Sequence, residues 1–147
     1  MKGNEKILAT LNSLLADELT AINQYMVHSE MCENWGYGKL HMAIRSQAMD
    51  EMHHAEWLIE RIIFFEGAPT VSKLNPIKIG KTVSEMIAKD LDSEFTAVNA
   101  YNSAIKLARK QLSHDQRLVG PDLHGTHYRY ANPAWFVSHL HSVRQNS

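Results

Sequence analysis

Glu51 and His54 stand three residues apart in the stretch DEMHHAE, residues 50 to 56. On a helix that spacing sets a carboxylate and an imidazole side by side on one face. Two more acids, Glu18 and Glu94, fall in otherwise apolar helical stripes. Burying a lone carboxylate is expensive, so buried acids are normally paired or bound to metal. If the helices bring them to one level, Glu18, Glu51, Glu94 and His54 make a hard oxygen-and-nitrogen donor set. Such a set suits iron or manganese better than a structural zinc site, which favours cysteine.

Each of these residues has a plainer competing role. One E-x-x-H arises often by chance in a helical protein, and Glu18 or Glu94 alone is more often an edge-of-seam salt bridge. Three helices each placing one acid in the seam are harder to assign to chance. Tyr25, one seam repeat of seven residues from Glu18, can bond a ligand carboxylate or serve as an ordinary core tyrosine. Met52 and His53 lie about 100° and 200° around the helix from Glu51. Met52 is therefore on a flank, where a methionine usually packs, as Met31 and Trp35 do near the end of the first helix.

Four segments must position these side chains. The first runs from about Asn4 to Asn34, with Ile7, Leu11, Leu14, Glu18, Ala21, Tyr25, His28 and Cys32 in alternating steps of four and three. The second runs from about Lys39 to Glu66, with seam Leu40, Ile44, Gln47, Glu51, His54, Leu58, Ile62 and Phe65, stopped by Gly67 and Pro69. Residues 67–81 then form a connection with two prolines and two glycines. Extended, it covers about 45 Å, and a helix of this size is about 42 Å long. It can therefore run the length of a bundle.

The third helix opens on a capping box, Thr82-x-x-Glu85, with seam Ile87, Leu91, Glu94, Val98, Tyr101, Ile105, Ala108 and Leu112. A fourth is signalled by Ser113-x-x-Gln116 but then meets Gly120-Pro121, Gly125 and Pro133. Proline inside a helix costs about 3 kcal/mol or more, so this helix begins well and is then broken. The pattern predicts an all-α protein, a four-helix bundle with a long crossover between the second and third helices.

The 147 residues and 44% hydrophobic content suit one domain, residues 1–147, with its own core. A net charge of −1 points away from nucleic acid and from anionic membranes. The N-terminus lacks the unbroken apolar core of a signal peptide, and no segment is apolar enough to span a bilayer. Cys32 is the single cysteine, which fits a reducing cytoplasm. The chain changes character late. Of 16 acidic residues only Asp115 and Asp122 follow Glu94, while five of nine histidines follow residue 113.

Residues 1 to about 112 resemble the bacterioferritins, the haem-containing bacterial branch of the ferritins. The stretches that carry the resemblance are MKGNEKILATLNSLLADELTAINQY, NWGYGKL, DEMHHAEWLIERIIFFEG and LDSEFTAV. In ferritin-like di-iron bundles one Glu from each of two helices joins a Glu-x-x-His from each of the other two. Glu18 and Glu94 match the lone glutamates and Glu51 with His54 one of the pairs. The resemblance implies a ferroxidase centre with Glu51 bridging two irons, and a ferric mineral stored in a cytoplasmic shell of 24 subunits built from two-fold dimers. It implies Fe(II) and O2 or peroxide as substrates, and a ferredoxin-type reductant as partner. It also implies a haem b between paired subunits, ligated by Met52 from each. Thioether ligation from both sides favours ferrous haem.

The chain departs from the family pattern in two places. Family members often pair a histidine at position 46 with Asp50 to bind iron on the inner surface, and here the residue is Ser46. The second Glu-x-x-His should fall at positions 127 and 130, which hold His127 and Tyr130, and no glutamate follows residue 94. Residues 113–147 are therefore divergent. Three accounts fit: a frameshifted reading of the gene, a variant that uses His127 or His124 as ligand, or a haem-binding or structural shell subunit with impaired ferroxidase chemistry.

Overall fold

The computed structural model of the protein describes residues 4–112. It contains three helices and, among the described residues, no strand: α1 at Glu5–Asn34, α2 at Gly38–Phe64 and α3 at Val83–Leu112. The all-α class follows the predicted periodicity. The fourth helix and His127 lie outside the described residues. No described helix is long and apolar enough to cross a membrane.

The helix ends explain the boundaries. Asn4 caps α1 by accepting the N–H of Lys6 at 2.9 Å. At its far end Gly36 N–H bonds Glu33 C=O and Tyr37 N–H bonds Cys32 C=O, the double closure of a Schellman motif. The end of α2 repeats this closure, with Glu66 bonding Ile63 and Gly67 bonding Ile62. Here the left-handed residue is Glu66, at φ 58°, and the helix stops at Phe64, two residues before the predicted end. Gly67 serves a different purpose. A Cβ there would lie 2.5 Å from Leu8 Cδ2, so this glycine lets the chain pass close against α1.

Met1–Ser93 form one compact unit, and Glu94 begins a second. In the first unit α1 and α2 run antiparallel: Ser29 meets His41, Glu18 meets His54, and Leu8 meets Gly67. Their seams supply the core, with Leu14, Leu15, Tyr25 and Cys32 facing Leu40, Ile44, Leu58 and Ile62. Fully burying one such side chain stabilises by about 1.5–3 kcal/mol, and Leu15 and Ile62 are both wholly buried.

The crossover runs back along α1, pinned by its polar side chains. Asn12 accepts from Thr70 N–H, Thr20 from Asn75 N–H, and Gln24 from Lys78 N–H. Gly80 N–H donates to His28 Nε2 at 3.0 Å. From Asn12 to His28 is 16 residues of helix, about 24 Å. An extended strap with few internal bonds thus satisfies its backbone on side chains.

α3 starts as the capping box predicts, with Thr82 Oγ1 accepting Glu85 N–H at 3.2 Å. The Glu85 carboxylate reaches one residue further back, to Lys81 N–H at 2.8 Å. In the first unit the deepest positions of α3 are Met86 and Asp90, one residue before the predicted Ile87 and Leu91. Asp90 sets this rotation, because it bonds both His28 and Gln24 on α1.

Candidate metal centre

Three of the predicted site residues come together in the first unit. Glu18 on α1 is buried between core turns. Glu51 and His54 project from α2 one turn apart, as the i, i+3 spacing dictates. His54 Nδ1 lies 2.7 Å from Glu51 Oε2 and 3.7 Å from Glu18 Oε2. One ligand-type atom from each residue falls within 4.8 Å of the other two. Donors around a metal ion at about 2.1 Å stand about 3–4 Å apart, so the trio is already near coordinating geometry.

The protonation of the trio shows what it is built to hold. Burial raises the Glu51 carboxyl well above the usual carboxylate range, with Glu18 adding to the rise and His54 opposing it. Burial works against charge on His54 too, but the hydrogen bonds and charges of Glu18 and Glu51 outweigh it and push the imidazole up to about 10. The N–H of an imidazolium thus occupies the space between two carboxylates where a cation would sit. Two carboxylates and one imidazole offset the charge of a hard divalent ion and supply three of its ligands. The residues therefore fit iron.

The remaining site residues are placed as follows. Tyr25 is buried on α1, two turns beyond Glu18. Glu94 lies on α3 as the first residue of the second unit. Met52 is 42% exposed on the outer flank of α2, beside the equally exposed Met49 three residues earlier. That position suits a ligand offered to something outside the bundle.

A second polar cluster was not singled out in the sequence. His28 Nδ1 lies 2.8 and 3.0 Å from the two Asp90 carboxylate oxygens. Gln24 Nε2 donates to Asp90 Oδ1 at 2.8 Å. Because Gly80 N–H donates to Nε2, the His28 ring carries its proton on Nδ1 and donates it to Asp90. The available signal was His28 at a seam position and Asp90 one turn before Glu94. Among the described residues, no buried side-chain nitrogen or oxygen lacks a hydrogen-bond partner.

Comparison with known proteins places this geometry in context. Residues 8–117 match the family model for the ferritin-like domain. A bacterial ferritin of Synechocystis is 41% identical over 117 residues, covering 80% of this chain and 75% of the relative. A bacterioferritin of Brucella melitensis is 41% identical over 110 residues, covering 75% of this chain and 68% of the relative. Among solved structures, the Mycobacterium tuberculosis bacterioferritin BfrA superposes with a TM-score of 0.74 at 38% identity, over 76% of this chain and 70% of that one.

Proposed function

The chain belongs to the ferritin-like family and groups with the bacterioferritins, and on that premise we propose that it stores and detoxifies iron by oxidising Fe(II) within the subunit. The observation that carries this reading is the convergence of Glu18, Glu51 and His54 within 4.8 Å. Glu18, Glu51 and His54 would hold iron, with Glu51 shared between two ions as the resemblance implies, and Glu94 is retained as a ligand on the resemblance alone. His127 stands where the family pattern has a glutamate, and on the variant account it, or His124, would serve the second iron in that residue's place. Tyr25 supports the site from the α1 seam. The product is a ferric mineral held in a cytoplasmic shell of 24 subunits assembled from two-fold dimers, all parts of one domain per chain.

The protein's own groups carry the first step. The trio exchanges its shared proton for Fe(II), and its carboxylates stabilise Fe(III) more than Fe(II) because hard anionic oxygen favours the higher charge. Electrons pass to O2 or peroxide. Met52, exposed on the outer flank, would hold a haem b with its counterpart in a second subunit. When bound, that haem supplies electron transfer, fed by a ferredoxin-type reductant.

A second reading is a haem-binding or structural shell subunit with an incomplete ferroxidase centre. It is favoured by one observation, that the sequence holds a single E-x-x-H and no glutamate after Glu94. Rapid mixing of the purified protein with Fe(II) in air separates the two. Fast oxygen-dependent oxidation that is lost in Glu51→Ala is expected for the enzyme; its absence from the wild type supports the structural subunit.

A further inference from the structure

We propose that Met49, Met52 and His53 form a second metal site, on the exposed face of α2, that takes a soft monovalent ion of the Cu(I) type. These three residues and Glu56 stand at i, i+3, i+4 and i+7. That spacing sets them on one helix face, with neighbouring Cβ atoms about 5–6 Å apart. Met49 and Met52 are each 42% exposed. An unbranched thioether has three rotatable bonds, so two at this spacing can bring their sulfurs to a common point in the space outside the helix. The core holds a competing soft pair, Cys32 Sγ and Met86 Sδ, 3.9 Å apart. Both of those residues are wholly buried, which closes the pair to an arriving ion.

The imidazole completes the donor set. His53 Nδ1 lies 3.3 Å from Glu56 Oε2. An ionised carboxylate only accepts, so in the neutral ring Nδ1 carries the proton and Nε2 keeps its lone pair for a metal. A carboxylate behind the ring fixes the tautomer and orientation of a ligating histidine in the same way. The two thioethers and the imidazole are neutral, and the Glu56 carboxylate balances the charge of one monovalent ion. Softness decides which ion. Thioether sulfur selects Cu(I), whereas Glu18, Glu51 and His54 offer chiefly oxygen to harder divalent ions. His53 and His54 project about 100° apart around the helix, so adjacent residues serve two sites of opposite chemistry. The copper site lies beyond the proposed iron oxidation. It shares Met52 with the proposed haem, so copper and haem should exclude one another.

The test uses the full chain, free of haem, as wild type, Met49→Leu, His53→Ala, Met42→Leu and Cys32→Ala. Met42 is also exposed but lies two turns before Met49, about 10 Å away along the helix, too far to share the ion. Co(II) is added first to fill the trio, and its absorption is recorded. Cu(I) is then titrated anaerobically against the chelator bicinchoninate, and the copper K-edge is read for sulfur neighbours. Expected are sulfur-ligated Cu(I) in wild type, Met42→Leu and Cys32→Ala, and affinity lower by about tenfold or more in Met49→Leu and His53→Ala. The Co(II) bands should be the same in all five forms. No Cu(I) binding by the wild type overturns the site. So does wild-type affinity in Met49→Leu or His53→Ala, or loss of copper from Cys32→Ala with its Co(II) bands intact. Haem is read apart from copper: the Soret band of reconstituted Met49→Leu should match that of the wild type. A wild type with no Soret band overturns the haem reading and leaves the copper site standing on its titration.

Discussion

The Nδ1 atom of His54 lies 2.7 Å from Oε2 of Glu51, one helical turn before it. The bond holds a proton at the place where a metal ion would bind, and with Glu18 it pushes His54 up to about 10. At neutral pH a metal must therefore displace that proton. Binding of Co(II) or Fe(II) should release protons into a weakly buffered solution, measurable by a pH indicator. Glu51→Gln and His54→Ala should weaken binding by more than the roughly 10–100-fold typical of losing a supporting hydrogen bond. Equal metal affinity in wild type and both variants would show that the trio is not the site.

The same proton predicts the pH dependence of the metal-free protein. His54 rises from 6.5 to about 10, so the folded state holds its proton more tightly than the unfolded chain. Its stabilising contribution is present below pH 6.5 and is lost as pH climbs towards 10. Glu51 and Asp17, both raised chiefly by burial, act in the same direction from lower pH. Burial also raises Cys32 above 9.0, which extends the trend at the alkaline end. The metal-free melting temperature should fall between pH 6.5 and 10, with one proton contributing a slope of up to about 1.4 kcal/mol per pH unit. The stabilisation conferred by added metal should grow over that interval, because metal and proton compete. A flat or rising melting curve for the metal-free protein contradicts the assignment.

The trio was legible in the sequence because each member obeys a local rule. A 3.6-residue period places Glu18 among Leu14, Ala21 and Tyr25, and the i, i+3 spacing joins Glu51 to His54. The long crossover was legible from its length and its prolines. What it rests on was not. The bonds from Thr70, Asn75, Lys78 and Gly80 to α1 join residues more than 50 positions apart, and no local pattern encodes such pairs. The rotation of α3 differs by one residue from the apolar pattern for the same reason, with Met86 and Asp90 buried. Hydrophobicity favoured Ile87 and Leu91, but the polar pairing of Asp90 with His28 sets which face turns inward.

Glu66 is the one described residue other than glycine with positive φ, at 58°. A side chain in that conformation costs about 1–2 kcal/mol, partly offset in any glycine variant by the greater entropy of its unfolded chain. Glu66→Gly should therefore raise stability by up to about 1 kcal/mol, since it removes an exposed side chain. Gly67→Ala should do the reverse, since its Cβ would lie 2.5 Å from Leu8. Urea midpoints of the two variants check this pair. A lower midpoint for Glu66→Gly would mean the carboxylate does more than the backbone strain costs.

Met52 offers its thioether to the outside of α2, and on the proposed reading two such thioethers ligate one haem b. Met52→Leu keeps the volume and removes the sulfur, so the fold should be retained and haem binding lost. The Soret band of haem-reconstituted wild type should be absent from the variant, with unchanged Co(II) binding at the trio. A Soret band of equal intensity in Met52→Leu would exclude this methionine as the ligand.

His28 joins three parts of the first unit: its own helix, Asp90 on α3, and Gly80 at the end of the crossover. Asp90 is 2% exposed and keeps Gln24 as a donor, so removing the imidazole costs it one hydrogen bond to a buried charge, worth about 1.5–3 kcal/mol, and leaves a cavity besides. His28→Ala should therefore be strongly destabilising in urea. It should also speed hydrogen exchange at the Gly80 amide, which loses its acceptor. Gly80→Ala attacks the same junction from the other side. Its Cβ would press on Met86 N, backbone that cannot yield as a side chain would, so the crossover must move away from His28. Overpacking of this kind costs about 1–3 kcal/mol. If the two variants weaken one latch, combining them should cost less than the sum of the separate losses. Strict additivity would mean that His28 and Gly80 stabilise the fold independently.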